Sequence, residues 1–225
     1  MGSDSGPCRL AGYLVAGLVL FFSGCTPAVE KLRGDYFEAL PRFWGGVYAD
    51  GGETLYCGRR FGRRHGRSIN VEHVFPMAWV TKALKCGKRK ECRENSHRFN
   101  SIEADMHNLF PALASINKRR GAFAFAEIPG EPGKGKCDFE VDEKRRVVEP
   151  RPEVRGDIAR AMFYMSHRYG LKLYRRQQEL LLRWHREDPP SAEEYRRNDV
   201  IQKLQGQRNP FIDNPRQVRL IFGQR

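Results

Sequence analysis

The chain has 225 residues, with 40 Lys and Arg against 27 Asp and Glu and a formal net charge of +13. This length suits one sizeable globular domain with a small appendage, and the mixed composition excludes a low-complexity chain. The basic residues are spread along the sequence, which favours a polyanionic partner, nucleic acid before an anionic membrane surface. A basic surface that only keeps the protein soluble is the alternative.

The N-terminal residues have the pattern of an export signal. Arg9 is followed by an apolar run, residues 10–22, and then by "FSGCTP". The run is too short to cross a bilayer as a helix but suits a secretory signal, so residues 1–25 are expected to direct export to the periplasm or the medium. The stretch that ends at Cys25 resembles a bacterial lipobox, in which this cysteine would be lipidated and anchor the protein to a membrane. Simple cleavage within residues 24–28 is the alternative.

The cysteines of the exported chain suggest two disulfides. If Cys25 is lipidated, four others remain after the signal, and an even number in an exported protein is typical of paired cysteines. Spacing alone does not choose among the three possible pairings. Cys86 and Cys92 flank the short polar stretch "GKRKE", which favours a local bridge and leaves Cys57 for Cys137. A zinc site is the competing interpretation, although the sequence has no CxxC pair.

The first half of the exported chain contains two strand candidates separated by a basic connector. Residues 26–50 form a mixed, partly helical lead-in that ends in the Gly-rich "GGVYADGGE", which has a loop pattern. The stretches "TLYC" (54–57) and "INVEHVF" (69–75) have β character, and "GRRFGRRHGRS" connects them. Residues 81–101 are a polar excursion that carries the Cys86/Cys92 pair.

The pattern beyond the second strand candidate is mainly helical. Pro111 is well tolerated in a first helical turn, so we expect a helix over residues 111–120 with Asn108 at its entrance. Residues 129–151 are turn-rich and hold two short strand candidates.

Three structural helices are predicted in the last third of the chain. The first two carry apolar stripes at helical spacing. The third opens with Ser191 and Glu194 in capping-box spacing and closes at Gly206. Residues 216–225 form a basic tail. The two stripes consist of Val154, Ile158, Met162, Met165 and Tyr169, and of Leu180, Leu181 and Trp184.

The dipeptide Glu72-His73 lies inside the strand candidate that closes at Pro76. Neighbouring strand residues point to opposite faces, so one side chain facing in and one facing out is the simplest interpretation of the pair alone. However, "DMHNLFPALASINKRRGAFAF" begins 32 residues after His73. Together the two motifs resemble the endonuclease I family of secreted and periplasmic bacterial nucleases. The resemblance continues through "PRPEVRGDIARAMFYMSHRYG" and "RRNDVIQKLQGQRNPFI" and covers residues 52–213.

The resemblance implies an α+β fold, a ββα-metal (His-Me finger) nuclease core over residues 51–215 with additional C-terminal helices. It places a general base on His73 and magnesium ligands on Glu72 and Asn108, in a site that Mn²⁺ or Ca²⁺ can also occupy. Phosphodiester hydrolysis requires a base for water and a cation that neutralises charge on the phosphate. Magnesium prefers oxygen ligands and commonly takes only one or two from protein. A strand end or bulge before Pro76 can re-aim one of the adjacent side chains.

Other residues near the second motif have further expected roles. Asp105 is expected to cap a helix rather than bind metal, and His107 to lie at the surface or in packing. Asn117 and Arg120 match the family segment on one helical face, and they either support the site, orient a phosphate or have a structural role.

The family also uses an arginine to stabilise the phosphate in the transition state, and Arg93, Arg98 and Arg120 are open candidates for this nucleic-acid contact. Family members often carry further cysteines where this chain has Arg59 and Tyr195. These departures indicate a missing disulfide rather than lost catalysis.

The sequence therefore predicts an exported, magnesium-dependent endonuclease that acts as a monomer on DNA, and also on RNA, with little base preference. The resemblance implies products with a 5′-phosphate and a free 3′-hydroxyl. Basic residues of "GRRFGRRHGR" and "NKRR" would hold the backbone without reading bases. The alternative is a noncatalytic basic lipoprotein of the cell envelope that binds DNA or anionic lipid, which would leave the Glu-His motif without a role.

Overall fold

The computed structural model describes residues 35–130 and 137–223. The predicted export signal, the lipobox with Cys25 and the first part of the lead-in lie outside these residues. Within the described ranges, no helix is both long and apolar enough to cross a membrane.

The described part of the chain folds as an α+β protein of short strands and mostly short helices. The helices are α1 (Tyr36–Arg42), α2 (Met77–Leu84), α3 (Arg89–Asn95), α4 (His97–Glu103), α5 (Ala114–Arg120), α6 (Arg155–Tyr169), α7 (Arg175–Glu187), α8 (Ala192–Gln205), α9 (Pro210–Asp213) and α10 (Arg216–Phe222). The strands are β1 (Gly52–Glu53), β2 (Arg60–Phe61), β3 (Ile69–His73), β4 (Leu109–Leu113), β5 (Ala124–Phe125), β6 (Phe139–Asp142) and β7 (Val147–Pro150).

An antiparallel strand pair that runs directly into a helix lies next to the candidate site. β3 pairs with β4, from Ile69 opposite Leu113 to His73 opposite Leu109. The helix α5 follows β4 without a connecting loop and contacts both strands. This arrangement brings together on one small unit the Glu72-His73 motif and the second motif, which begins 32 residues after His73.

The predicted helix over residues 111–120 is wrong at its start. Pro111 lies in β4 opposite Val71, and the helix begins only at Ala114. The carbonyl of Pro111 accepts a hydrogen bond from the N–H of Leu55 (2.8 Å), on the side away from β3. In an antiparallel strand the N–H and C=O of one residue point to the same side, so proline removes no ladder bond here. Asn108 accordingly ends a 3₁₀ turn, Met106–Asn108, before the strand.

The "TLYC" stretch is a turn and not a strand. The N–H of Gly58 donates to the carbonyl of Thr54 (2.8 Å), and Gly58 has a φ of 60°, where glycine meets no steric penalty. Leu55 and Tyr56 are both buried, so consecutive residues enter the core without the alternation of a strand. The turn lies between β1 and β2, which pair as Gly52 with Phe61.

The polar excursion at residues 81–101 is largely helical. It contains the end of α2, all of α3 and most of α4. Cys86 and Cys92 are joined, which ties the loop after α2 to α3. Cys57 and Cys137 form the second bridge, across a sequence separation of 80. Both disulfides are the ones favoured from the sequence.

The C-terminal part builds the main core. The two strand candidates of residues 129–151 are β6 and β7, which pair antiparallel, while β5 lies parallel to β7. The stripes of α6 and α7 are buried, and the capping box that opens α8 is present. The expected basic tail is helical through Phe222, with Val218 buried and the ring of Phe222 4.5 Å from that of Phe163.

The lead-in packs against the strand pair. A π-helical turn, Phe43–Val47, follows α1 and includes the start of the predicted Gly-rich loop. Phe43 and Val47 are buried in a second apolar cluster with Leu109 and Ile201. This packing sets α1 beside the end of β3.

Candidate active site

A cleft of about 650 Å³ opens at the end of β3. α1, β3, α2, the approach to α3, and α5 form its walls. Its polar side chains are Tyr36, Asn70, Glu72, His73, Thr81, Lys88, Arg89, Asn117 and Lys118. The cleft therefore collects residues from both sequence motifs and from the disulfide-closed loop.

Glu72 and His73 both face this cleft. β3 ends at His73, and both side chains are buried, so neither of them faces solvent. The alternation of the strand is kept, because Phe110, opposite Glu72, packs in the main core, whereas Leu109, opposite His73, packs in the second apolar cluster. Both residues line the cleft because it opens where β3 ends.

Glu72 presents a carboxylate with one oxygen held from behind. The phenol of Tyr56 donates to Oε1 (2.7 Å), and Nη1 of Arg120 lies 3.2 Å from the same oxygen. Neither group donates a hydrogen bond to Oε2. Burial raises the pKa of Glu72, while the charge of Arg120 and the Tyr56 hydrogen bond favour the carboxylate. Burial and the nearby carboxylate also raise the pKa of Tyr56 well above its ordinary value, so the phenol remains a donor.

His73 is a neutral ring with one nitrogen fixed by a backbone carbonyl. Its Nε2 lies 2.9 Å from the carbonyl oxygen of Glu103. Because a carbonyl can only accept, Nε2 carries the hydrogen and Nδ1 keeps the lone pair of the neutral ring. Burial, followed by the charge of Arg89, lowers the pKa of His73 to about 4. The imidazole is therefore neutral near pH 7.

Glu103 connects this histidine to two arginines. Its buried carboxylate accepts a hydrogen bond from Nε of Arg89, and from Nε (2.7 Å) and Nη2 (2.9 Å) of Arg93. Arg89 lines the cleft, and its side chain is 45% exposed. The backbone of Glu103 thus fixes the base while its side chain positions a cation that can still reach a substrate.

Asn108, the second predicted metal ligand, does not line the cleft, and both ends of its amide are bound to the backbone. Its Oδ1 accepts from the N–H of Phe75 (2.6 Å), and its Nδ2 donates to the carbonyl of Phe75 (3.0 Å). The side chain is fully buried. Both ends of the amide are used to hold the chain just beyond β3, so Asn108 acts as a structural clamp.

Asn117, and not Asn108, is the asparagine of the second motif that lines the cleft. Its Nδ2 donates to Oδ1 of Asn70 (2.9 Å) and to the carbonyl of Val71 (3.1 Å). These two bonds use both amide hydrogens and fix the side chain against β3. Its Oδ1 makes no hydrogen bond within the described residues, and Asn117 lines the cleft together with Glu72.

Arg120 supports the site from within the core. Its side chain is fully buried and donates to the carbonyl of His73 (3.2 Å) and to that of Val74. Its guanidinium lies 4.9 Å from the ring centroid of Phe125. Arg120 therefore holds Glu72 and the end of β3 and does not reach the cleft.

Arg98 and Arg93 are also engaged away from a substrate. Arg98 donates to the carbonyl of Tyr169 (2.8 Å), at the end of α6, and Arg93 is bound to Glu103. In the described part of the chain, Arg89 is the arginine that lines the cleft. Sequence reasoning missed it, although its position inside the loop closed by Cys86 and Cys92 was a usable signal.

Asp105 and His107 have structural roles. Asp105 caps the 3₁₀ turn by accepting from the N–H of His107 (3.0 Å), and it also accepts from the phenol of Tyr164 (2.9 Å). His107 is buried, with Nε2 3.0 Å from the carbonyl of Gln207. The cap expected at Asp105 and the packing role expected at His107 agree with these contacts.

The donor set at the cleft fits a sparsely held magnesium ion. Among residues 35–130 and 137–223, no cluster of three or more His, Cys, Asp or Glu side chains could hold a metal. Glu72 and Asn117 supply one carboxylate and one amide oxygen on neighbouring elements. A hard cation that keeps most of its waters needs no more than this, whereas zinc would require nitrogen or sulfur ligands.

Comparison with known proteins identifies related chains. The model of the endonuclease I family matches residues 41–216. An extracellular deoxyribonuclease of Aeromonas hydrophila is 44% identical over 164 residues, 70% of this chain and 71% of that protein. A periplasmic deoxyribonuclease of the same species is 36% identical over 93% of this chain and 98% of its own. An extracellular ribonuclease of Bacillus amyloliquefaciens is 36% identical over 49% of this chain and 44% of its own.

Proposed function

The chain belongs to the endonuclease I family, and from this premise we propose that it is an exported magnesium-dependent endonuclease that hydrolyses DNA, and also RNA, without base preference. The names of the Aeromonas relatives support DNA as substrate and export to the periplasm or the medium, and that of the Bacillus relative supports RNA. Lipidation of Cys25 and a monomeric state stay predictions from the sequence.

One observation carries the proposal. A neutral histidine, a buried carboxylate, an amide oxygen and an exposed arginine line the same cleft, at His73, Glu72, Asn117 and Arg89. Hydrolysis of a phosphodiester needs a base, a cation-binding oxygen set and a positive group for the phosphate. The strand pair and helix formed by β3, β4 and α5 support the ββα-metal assignment, because they hold three of these four residues.

His73 is the general base in this mechanism. Nδ1 removes a proton from a water molecule that attacks the phosphorus in line with the leaving 3′-oxygen. The hydrogen bond from Nε2 to the carbonyl of Glu103 keeps the ring in the required tautomer and favours the imidazolium that forms. The leaving 3′-oxygen takes a proton from solvent water, so the products are a 5′-phosphate and a free 3′-hydroxyl, as the resemblance implies.

Glu72 and Asn117 would hold the magnesium ion. When bound, the ion would neutralise the charge that develops on the phosphate and the leaving oxygen. Tyr56 and Arg120 fix Oε1 of Glu72 and leave Oε2 for a ligand role. This proposal keeps Glu72 from the sequence interpretation and replaces Asn108 with Asn117. Mn²⁺ or Ca²⁺ suits the same oxygen donors.

Arg89 is the residue that neutralises the phosphate, because it is held by Glu103 yet exposed to the cleft. Lys88 and Lys118 line the same wall. Contacts of this kind position the backbone without reading bases, which accounts for the proposed lack of sequence preference.

Digestion of a supercoiled plasmid tests the proposal. The parent should nick and then degrade the plasmid with magnesium and leave it intact with EDTA. His73→Ala should lower the rate about 10²–10⁴-fold, the contribution of general-base catalysis, and still bind DNA.

His107→Ala is the matched control. His107 is also buried and also bonded through Nε2 to a backbone carbonyl, but it lies outside the cleft. Its loss should lower stability and spare turnover in the folded fraction. DNA binding by the parent without any cleavage would contradict the proposal and favour a noncatalytic envelope protein.

A further inference from the structure

An exposed aromatic ring at the edge of the cleft has no role in the proposed reaction. Phe37, on α1, is 59% exposed. Its ring meets that of Tyr36 edge to face at a centroid distance of 5.6 Å, and the ring of Tyr36 lies 5.2 Å from that of His73. Phe37 is thus two ring contacts from the general base, a span of about three nucleotides at the ~3.4 Å rise of a stacked strand and fewer in an extended one.

Arg93 holds the Phe37 ring from behind. Its guanidinium carbon lies 4.9 Å from the centroid of Phe37 and 5.7 Å from that of Tyr36. Two hydrogen bonds to the buried carboxylate of Glu103 fix the guanidinium. The ring therefore rests on a rigid cation, and its exposed area faces solvent beside the cleft.

Exposure alone does not assign a role, since single apolar side chains on a surface are common. The position of Phe37 separates it from other exposed aromatics. Lys88 and Arg89 line the adjoining cleft wall, where a phosphate would bind. A flat apolar ring next to phosphate-binding cations complements a nucleotide, whose base is flat and whose backbone is anionic.

We propose that Phe37, supported by Arg93, is a stacking site for an unpaired nucleobase on the strand whose phosphate reaches His73. The inference rests on the proposed nuclease function and adds a substrate contact to it. Every base has a π-face, so the contact favours single-stranded or locally unpaired substrates without reading sequence. Phe37 precedes residue 41, where the family match begins, so that match assigns it no role.

Binding of two short labelled oligonucleotides in EDTA, measured by fluorescence anisotropy, tests the inference. One probe is an oligothymidylate, and the other is an abasic strand of equal length with the same phosphates. Phe37→Leu keeps an apolar side chain but removes the π-face. We expect it to weaken binding of the oligothymidylate at least about fivefold, the equivalent of about 1 kcal/mol, and to leave binding of the abasic strand unchanged.

Two further variants make the result specific. Tyr174→Leu is the matched control, because Tyr174 is 68% exposed and has the ammonium of Lys172 5.2 Å from its ring, but it does not line the cleft. It should bind both probes like the parent. Phe37→Trp, with a larger stacking surface, should bind the oligothymidylate at least as tightly as the parent.

The outcomes separate this inference from the nuclease function. If the parent cleaves plasmid but Phe37→Leu binds both probes like the parent, or loses affinity for both equally, the stacking site is overturned and the nuclease function stands. If the parent does not cleave DNA at all, the proposed function fails and the inference fails with it.

Discussion

Glu103 determines both the proton position and the cation position at the cleft. Its carbonyl selects the tautomer of His73, and its carboxylate holds Arg89 and Arg93. The carboxylate is fully buried, where an unpaired charge would be costly, so both arginines are needed to compensate it. A single buried residue therefore connects the proposed base to the proposed phosphate-binding group.

Asn117 and Asn108 are expected to respond differently to removal of their amides. Asn117→Ala should raise the magnesium concentration for half-maximal activity, because it removes one of two proposed protein ligands. Asn108→Ala should leave that concentration unchanged and lower the free energy of unfolding. It strands the buried N–H and C=O of Phe75, each at a cost of about 1–3 kcal/mol. Magnesium titrations and urea unfolding of both variants check this.

The opposite pattern would return the ligand role to the earlier asparagine. A magnesium requirement raised by Asn108→Ala and left unchanged by Asn117→Ala would contradict the assignment made from the cleft.

The sequence pointed to the proposed base and carboxylate but not to the other residues of the candidate site. Glu72 and His73 were identified because the dipeptide and the later motif occur together. Asn108 and Asn117 both fall in that later motif. Which of them is available as a metal ligand depends on Phe75, 33 residues before Asn108, because the backbone of Phe75 occupies both ends of the Asn108 amide. Arg89 was missed for a related reason, since only the packing of α3 decides which arginine faces the cleft.

At the scale of elements, the sequence predicted correctly where the interacting residues lie within one element. It predicted wrongly where the conformation depends on residues distant in sequence. α8 was predicted from Ser191, Glu194 and Gly206, which act within the helix itself. Pro111 was assigned to a first helical turn, where proline is tolerated. Its place in β4 depends on the side of the strand that faces away from β3, where its carbonyl meets the N–H of Leu55, a residue distant in sequence. Leu55 and Tyr56 suggested a strand because burial in a turn produces a similar apolar pattern.

The two disulfides should contribute differently to stability and to activity. Cys57–Cys137 closes a sequence separation of 80 and Cys86–Cys92 one of 6. Loop-closure entropy gives about 4–5 kcal/mol for the long loop and about 2 kcal/mol for the short one. We therefore expect the Cys57→Ser, Cys137→Ser variant to lose more unfolding free energy in urea than the variant without the short bridge.

Activity of the folded enzymes should show the reverse order. The short bridge holds the loop from which Arg89 enters the cleft. Its removal, as Cys86→Ser and Cys92→Ser, should lower plasmid cleavage more than removal of the long bridge, under conditions where both variants are folded. If the variant that lacks the Cys86–Cys92 bridge is as active as the parent, Glu103 alone positions Arg89.

Across the whole molecule, the net charge is +13. Among the described residues, some of the basic side chains form ion pairs with carboxylates and others do not. Buried arginines such as Arg120 and Arg160 are compensated by carboxylates, and their positive charge is not available to a substrate. In the basic connector, Arg64 and Arg67 are exposed and form no ion pair within the described part of the chain. Cations of this second kind can contact phosphates.

The dependence of DNA binding on salt should report these contacts. Each neutralised phosphate releases counterions, so the logarithm of the affinity falls with the logarithm of salt concentration by about 0.9 per contact on duplex DNA and about 0.7 on single strands. If Arg64 and Arg67 each hold a phosphate, the variant Arg64→Ala, Arg67→Ala should reduce this slope by about 1.8 on duplex DNA and weaken binding of all sequences alike. Arg176→Ala, at an exposed position on α7 away from the cleft, is the control and should leave the slope unchanged.

Anisotropy titrations in EDTA over a range of salt concentrations measure the three slopes. A parent slope retained by the double variant would show that Arg64 and Arg67 contribute charge without touching the backbone, and the phosphate contacts would then have to come from other cations, among them the cleft residues Lys88, Arg89 and Lys118.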